Sequence, residues 1–133
     1  MANQKTLSKF EWIIMDIIWD NPKSNVRDVL ENLPEEHQKA YTTVQTYLER
    51  LVKKGFLAKE KIGMVNFYNP KVDRKTVQAD ETENFIKKTF QGSATKLAAF
   101  LFDSNKLNEN DLTKIKKMIE EEEQNEGDNK PTE

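Results

Sequence analysis

The sequence predicts a mainly α-helical chain with a small β-hairpin, a winged helix-turn-helix followed by a C-terminal three-helix lobe. Three observations carry that expectation. Apolar residues recur at helical spacing in three successive segments between Leu7 and Lys54. Gly55 is followed at once by two short alternating segments around Gly63, the pattern of a hairpin. After Pro70, helical spacing returns in three further segments.

The first helix opens in "LSKFEWIIMDIIWDNP". Ser8 caps it, Glu11 completes a capping box, and Leu7 with Trp12 forms a hydrophobic staple. Ile13, Ile14, Ile17 and Ile18 make its apolar stripe, and Asn21-Pro22 ends it. The second helix, in "SNVRDVLENLP", has Ser24 or Asn25 as its cap. Val26, Val29, Leu30 and Leu33 fit the i, i+3, i+4, i+7 template, and Pro34 stops it. "EEHQKA" reads as a polar connection.

The third helix lies in "AYTTVQTYLERLVKKGFL". Val44, Leu48, Leu51 and Val52 are its buried stripe, Thr42 with Gln45 is its expected capping pair, and Gly55 supplies a left-handed C-terminal cap. In the hairpin, Leu57, Lys59 and Lys61 alternate with Phe56, Ala58 and Glu60, and Val65 and Phe67 alternate with Asn66 and Tyr68. Further helices are expected from Asp73 to Gly92, in "SATKLAAFLFD" capped by Ser93, and from Asn108 through Ile119. Residues 1–71 then form a winged-helix DNA-binding domain, 72–119 a helical dimerisation domain, and 120–133 an acidic disordered tail.

Composition excludes several functions. The chain has 133 residues and no cysteine, so disulfides, thiolate metal sites and cysteine nucleophiles are absent. His37 is the lone histidine, read as an exposed loop residue and not a metal ligand. No Gly-rich phosphate loop and no placeable Ser/His/Asp set is found, so no catalytic residue and no cofactor is expected. No apolar run is long enough to span a membrane and "MANQKTLSKF" has no signal core, so a cytoplasmic protein without membrane insertion is expected. The overall charge of −2 hides a strong asymmetry. Lys39 to Lys61 carries six basic against two acidic residues, a local net of +4, and Glu109 to Glu133 nine acidic against four basic, a net of −5. A DNA surface responds to the local patch, because charges beyond about 8–10 Å are largely screened.

In a winged helix-turn-helix the third helix enters the major groove and the hairpin reaches neighbouring phosphates. Thr42, Thr43, Gln45 and Thr46 are the expected base contacts, since Gln pairs with adenine and Thr serves base acceptors or the thymine methyl. Tyr47, Arg50, Lys53, Lys54, Lys59 and Lys61 are the expected phosphate contacts. The plainer reading of such a helix is a solvated face. Two further readings are a winged-helix protein-interaction module without DNA binding, and a ligand-responsive regulator with Phe85, Phe90, Phe100 and Phe102 lining a pocket.

The ordered blocks "DIIWDNPKSNVRDVLENL", "AYTTVQTYLERLVKKGFL" and "NFYNPKVDRKTVQADETENFIKKTFQG" resemble the BlaI/MecI/CopY family of bacterial penicillinase and copper-response repressors, from about Leu7 to Ile119. The resemblance implies a homodimer that binds a palindromic double-stranded DNA operator and blocks transcription. Phe85, Ile86, Phe90, Leu97, Leu101, Phe102, Leu112, Ile115 and Ile119 suit a core shared between two copies, because three short helices alone make a small one. The copper-responsive branch ends in a cysteine-rich metal motif, which this chain lacks. For the penicillinase branch the resemblance implies a membrane sensor-protease system and cleavage at an Asn-Phe bond in the dimerisation lobe. That bond aligns near Phe100-Leu101, and no Asn precedes it.

Overall fold

A computed structural model describes residues 6–129. The elements run α1 (Lys9–Asp20), α2 (Val26–Asn32), one 3₁₀ turn (Glu35–His37), α3 (Tyr41–Lys54), β1 (Leu57–Ile62), β2 (Val65–Pro70), α4 (Arg74–Phe90), α5 (Ala94–Asp103) and α6 (Glu109–Asn129). This is a helical chain with one two-stranded antiparallel hairpin, in the winged-helix order of helices and wing. The chain forms two compact units, Met1–Thr82 and Glu83–Glu133.

In the first unit, α1 starts as its sequence dictates. Ser8 Oγ accepts from the Glu11 amide and the Glu11 carboxylate accepts from the Ser8 amide. Asn25, not Ser24, caps α2, in a second capping box with Asp28. Ile14, Met15 and Ile18 of α1, Val29 of α2, and Val44, Leu48 and Leu51 of α3 are fully buried together. The 3.6-residue period puts each on the inner face of its helix, and each such side chain contributes about 1.5–3 kcal/mol by burial. Leu48→Ala would cost about 2–5 kcal/mol through the cavity it leaves.

Gly55 ends α3 in the left-handed conformation (φ 90°), which turns the chain directly into β1. The hairpin pairs Leu57 with Pro70 and Ile62 with Val65, leaving Gly63 and Met64 as a two-residue turn. Gly63 has φ +65° and Met64 does not share a positive φ, the signature of a type II′ turn that matches strand twist. Tyr68 of β2 is fully buried, and its amide and carbonyl exchange hydrogen bonds with Ser24 (2.7 and 3.1 Å). This bridge fixes the wing against the start of α2.

The pattern around Pro70 predicts a division at 71, whereas the first unit reaches Thr82. The early turns of α4 are tied to α1. Val77 is buried in this unit's core, the Leu7 amide donates to Glu81 (3.0 Å), and Trp19 Nε1 donates to the Val72 carbonyl (3.0 Å). Arg74 pairs with Asp20 at 3.0 Å and lies over the Trp19 ring.

The second unit holds the end of α4, α5 and α6. Ser93 caps α5, and Asn108 with Asp111 forms a capping box at α6. Phe90 stacks at an angle on Phe85 and Phe100, with centroids 6.0 and 5.9 Å apart. Among the described residues of this unit none is buried. α6 continues through the glutamates to Asn129, past the helix end at 119 that acidity had predicted. Glutamate is a good helix former, and a helix already started at Glu109 propagates through the run for nearly three more turns. Residues 130–133, the rest of the tail expected to be disordered, lie outside the described residues.

Candidate nucleic-acid interface

The outer face of α3 carries the residues expected to read bases. Thr42, Gln45 and Thr46 are exposed and Thr43 is half-buried. The expected capping pair of Thr42 and Gln45 is not formed: Ala40 is the N-cap, and no side chain caps the helix. Extended backbone at Gln38 and Ala40 delivers the chain so that Tyr41 already begins the helix, and Thr42 falls inside the first turn. Amide donors of that turn are left to solvent or to an anion such as phosphate. Thr46 Oγ1 donates to the Thr42 carbonyl (2.9 Å), so its hydroxyl proton is already used and its methyl is the group left for recognition.

Gln45 does not stand alone. It lines a groove of about 260 Å³ with Asn25 and Arg27 of α2, Tyr41 of α3, and Met64 and Asn66 of the wing. The sequence gives no direct sign of Arg27 or Asn66 as neighbours of Gln45, because they come from other elements, whereas Tyr41 lies one turn before it on the same helix. The wing tip itself is apolar: Met64 is 93% exposed, flanked by the exposed Ile62 and Val65.

The six expected phosphate contacts divide sharply. Arg50, Lys53 and Lys61 are exposed, and among the described residues no carboxylate lies within ion-pair reach of them. The Arg50 guanidinium rests over the Tyr47 ring (4.7 Å), and that ring packs edge-on against Phe10 of α1 (4.8 Å), so Tyr47 is partly a packing residue.

Lys54 is engaged within the chain. Its ammonium donates to Glu11 Oε1 at 2.8 Å and to the Thr6 carbonyl at 3.0 Å. It stands three residues after the buried Leu51, on the flank of the stripe that faces α1, and Glu11 needs it. Burial raises the Glu11 pKa, but the hydrogen bonds from Lys54 and Ser8 and the Lys54 charge outweigh burial and hold it below the ordinary value.

Lys59 is engaged too. Its ammonium sits 2.9 and 3.2 Å from the two carboxylate oxygens of Glu49, and Glu49 Oε2 also accepts from the Tyr68 hydroxyl at 2.6 Å. The Tyr68 hydroxyl lowers the Glu49 pKa most, burial opposes it, and Lys59 adds to the lowering. Burial first, then the Glu49 carboxylate, raises the Tyr68 pKa well above its ordinary value. At neutral pH the group is therefore a carboxylate held by a neutral phenol and an ammonium.

The residues expected at a dimer interface are half-exposed or exposed in the second unit. Ile86, Phe90, Leu97, Leu101 and Ile115 are partly covered, while Phe85, Phe102, Leu112 and Ile119 are open. Phe100 and Met118 are further exposed apolar side chains of this unit, at 48% and 62%. No group of His, Asp and Glu among the described residues has a metal-binding arrangement, and no described helix is long and apolar enough to cross a membrane.

A family model described as penicillinase repressor matches residues 7–121. The methicillin resistance regulatory protein MecI of Mammaliicoccus sciuri is 23% identical over 113 residues, covering 85% of this chain and 92% of its own length. The penicillinase repressor of Bacillus licheniformis is 25% identical over 115 residues, covering 86% and 90%. A solution structure of the DNA-binding domain of the repressor BlaI is 34% identical, covers 56% of this chain and 90% of that one, and has a TM-score of 0.48.

Proposed function

This chain belongs to the penicillinase repressor family, and from that premise we propose that it occupies a palindromic promoter operator as a homodimer in the cytoplasm and represses transcription by occlusion. It is a DNA-binding repressor and not an enzyme. The observation that carries the reading is the outer face of α3, where Gln45 and its uncapped first turn are followed by Arg50 and Lys53, which form no ion pair among the described residues.

The mechanism follows from that face. The N-terminal half of α3 enters the major groove, with Gln45 set to pair with adenine and Thr42, Thr43 and the Thr46 methyl set against neighbouring base edges. Arg50, Lys53 and Lys61 neutralise phosphates, which supplies affinity without sequence information. The first-turn amides of α3 add neutral donors to the backbone. Pairing of two copies is supported by the second unit, whose described apolar side chains are at most partly covered. A two-fold axis would cover them with the same surface of a second copy and set two α3 helices about one helical turn of DNA, or a multiple of it, apart. The bond that the resemblance aligns with the sensor-protease cleavage site, Phe100-Leu101, lies within α5 and is not preceded by Asn. Cutting there requires local unwinding first.

The test is fluorescence anisotropy against DNA upstream of the protein's own coding sequence and against a scrambled duplex, at two salt concentrations, with the mass in solution measured in parallel. Salt-sensitive binding by a dimer that prefers the upstream DNA is the expected result. A folded dimer that binds neither duplex would defeat the proposal.

A further inference from the structure

The face that should meet DNA contains a fixed negative charge. Glu49 lies in a shallow groove on α3 with Thr46, Arg50 and Lys53. Its carboxylate is held from two sides that differ in kind. The Tyr68 ring is fully buried and its backbone is bridged to Ser24, so the phenol donating at 2.6 Å is an anchored donor. Lys59, by contrast, is an exposed side chain on a flexible stem, and its pair with Glu49 is open to solvent on both partners, at 37% and 42% exposure. Exposed pairs of this kind are easily exchanged for another anion. If the lysine leaves, the carboxylate stays.

Resting on the DNA-binding reading, we propose that Glu49 is a positioning residue that holds Lys59 against the recognition helix as a surrogate phosphate and hands it to a DNA phosphate on binding, thereby restraining affinity for duplex DNA of any sequence. In the free protein Lys59 is neutralised. In the complex it moves to the backbone, and the immobile carboxylate remains beside the phosphates as a repulsive charge. Sequence-independent affinity is lowered, and the base contacts of Gln45 and its neighbours carry more of the binding.

The experiment uses the full chain and a scrambled duplex over a range of salt. Glu49→Gln keeps an oxygen acceptor for the Tyr68 hydroxyl and removes the charge. It is expected to tighten binding about threefold at low salt, the scale of an exposed ion pair, and to steepen the salt slope only by the share of the Lys59 contact, at most about 0.9, that Glu49 still holds back in the parent's complex. In a Lys59→Gln background the steepening should be absent and the gain in affinity smaller, because no lysine remains to be handed over. A structural role alone would lower the melting temperature of Glu49→Gln and weaken binding. Equal gains and equal steepening in the two backgrounds, or no gain at all, would overturn the handover while leaving DNA binding intact. Absence of salt-sensitive binding by the parent protein would instead overturn the DNA reading, and this inference with it.

Discussion

Lys54→Met separates packing from DNA contact at a lysine that sequence alone assigns to phosphate. Methionine keeps the apolar stem and removes the ammonium from Glu11, whose side chain is 2% exposed. The carboxylate then retains the Ser8 amide at 2.8 Å as its charge-stabilising donor. Removing one partner of a fully buried pair costs about 3–5 kcal/mol. Here Lys54 is 26% exposed, so water reaches one side of the site, and a loss of about 2 kcal/mol is the reasonable figure. For a unit of this size that lowers the melting temperature by about 8–16 °C.

The pH dependence has a definite sign. The folded pKa of Glu11 is depressed, so its stabilisation is present above the ordinary value of 4.5 and is lost as pH falls through the folded value. In the variant, burial acts with less opposition and the carboxyl rises. The deficit should be largest near neutral pH and shrink as the pH falls into the range where the variant's raised carboxyl takes up its proton. Thermal unfolding by circular dichroism at fixed protein concentration measures it. A deficit that is the same in acid and at neutrality would refute the ion-pair account. So would a DNA salt slope that drops by about 0.9 in Lys54→Met, since that would return the lysine to the phosphates.

Three other substitutions probe the remaining surfaces. Gln45→Ala should reduce the preference for operator over scrambled DNA by about 1–3 kcal/mol in competition anisotropy and leave the salt slope unchanged. Arg50→Ala should weaken binding to every duplex alike and flatten the slope by about 0.9; equal affinity of variant and parent would remove Arg50 from the phosphate set. Phe100→Glu, in the open apolar surface of the second unit, should raise the dimer dissociation constant at least about tenfold by sedimentation, with the melting of the winged helix little changed.

The winged helix was legible because its signals are local. Gly55 marks a left-handed stop, Asn21-Pro22 and Pro34 mark helix ends, and the two-residue spacing of the hairpin is unambiguous around Gly63. Glu11 was legible as a capping residue, yet its second bond, to Lys54 forty-three positions away, is not visible in spacing. A closer reading of helical phase would have separated Lys53 from Lys54: Lys54 follows Leu51 by three and Tyr47 by seven, which puts it on the flank facing α1. Thr42 misled because a threonine near a helix start resembles a cap, and only the extended path through Ala40 shows that the helix has already begun. The acidic run after Ile119 misled for the opposite reason. Charge predicted disorder where helix propensity predicts continuation, and the structure follows propensity to Asn129.

These placements change what a lysine count predicts. Five cations in and after α3 were expected to meet phosphate, which would give a salt slope near about −4.5 per protomer. Glu11 removes Lys54 from that set and Glu49 holds Lys59, leaving Arg50, Lys53 and Lys61. Three contacts give a slope of about −2.7, rising to about −3.6 if Lys59 is transferred in full, because first-turn amides carry no charge and release no counterion. A dimer engaging two half-sites should therefore show a slope between about −5 and −7, against about −9 from the sequence count. A measured value near −9 would mean that neither Glu11 nor Glu49 keeps its lysine in the complex, and the division of the cationic face drawn from the structure would not survive it.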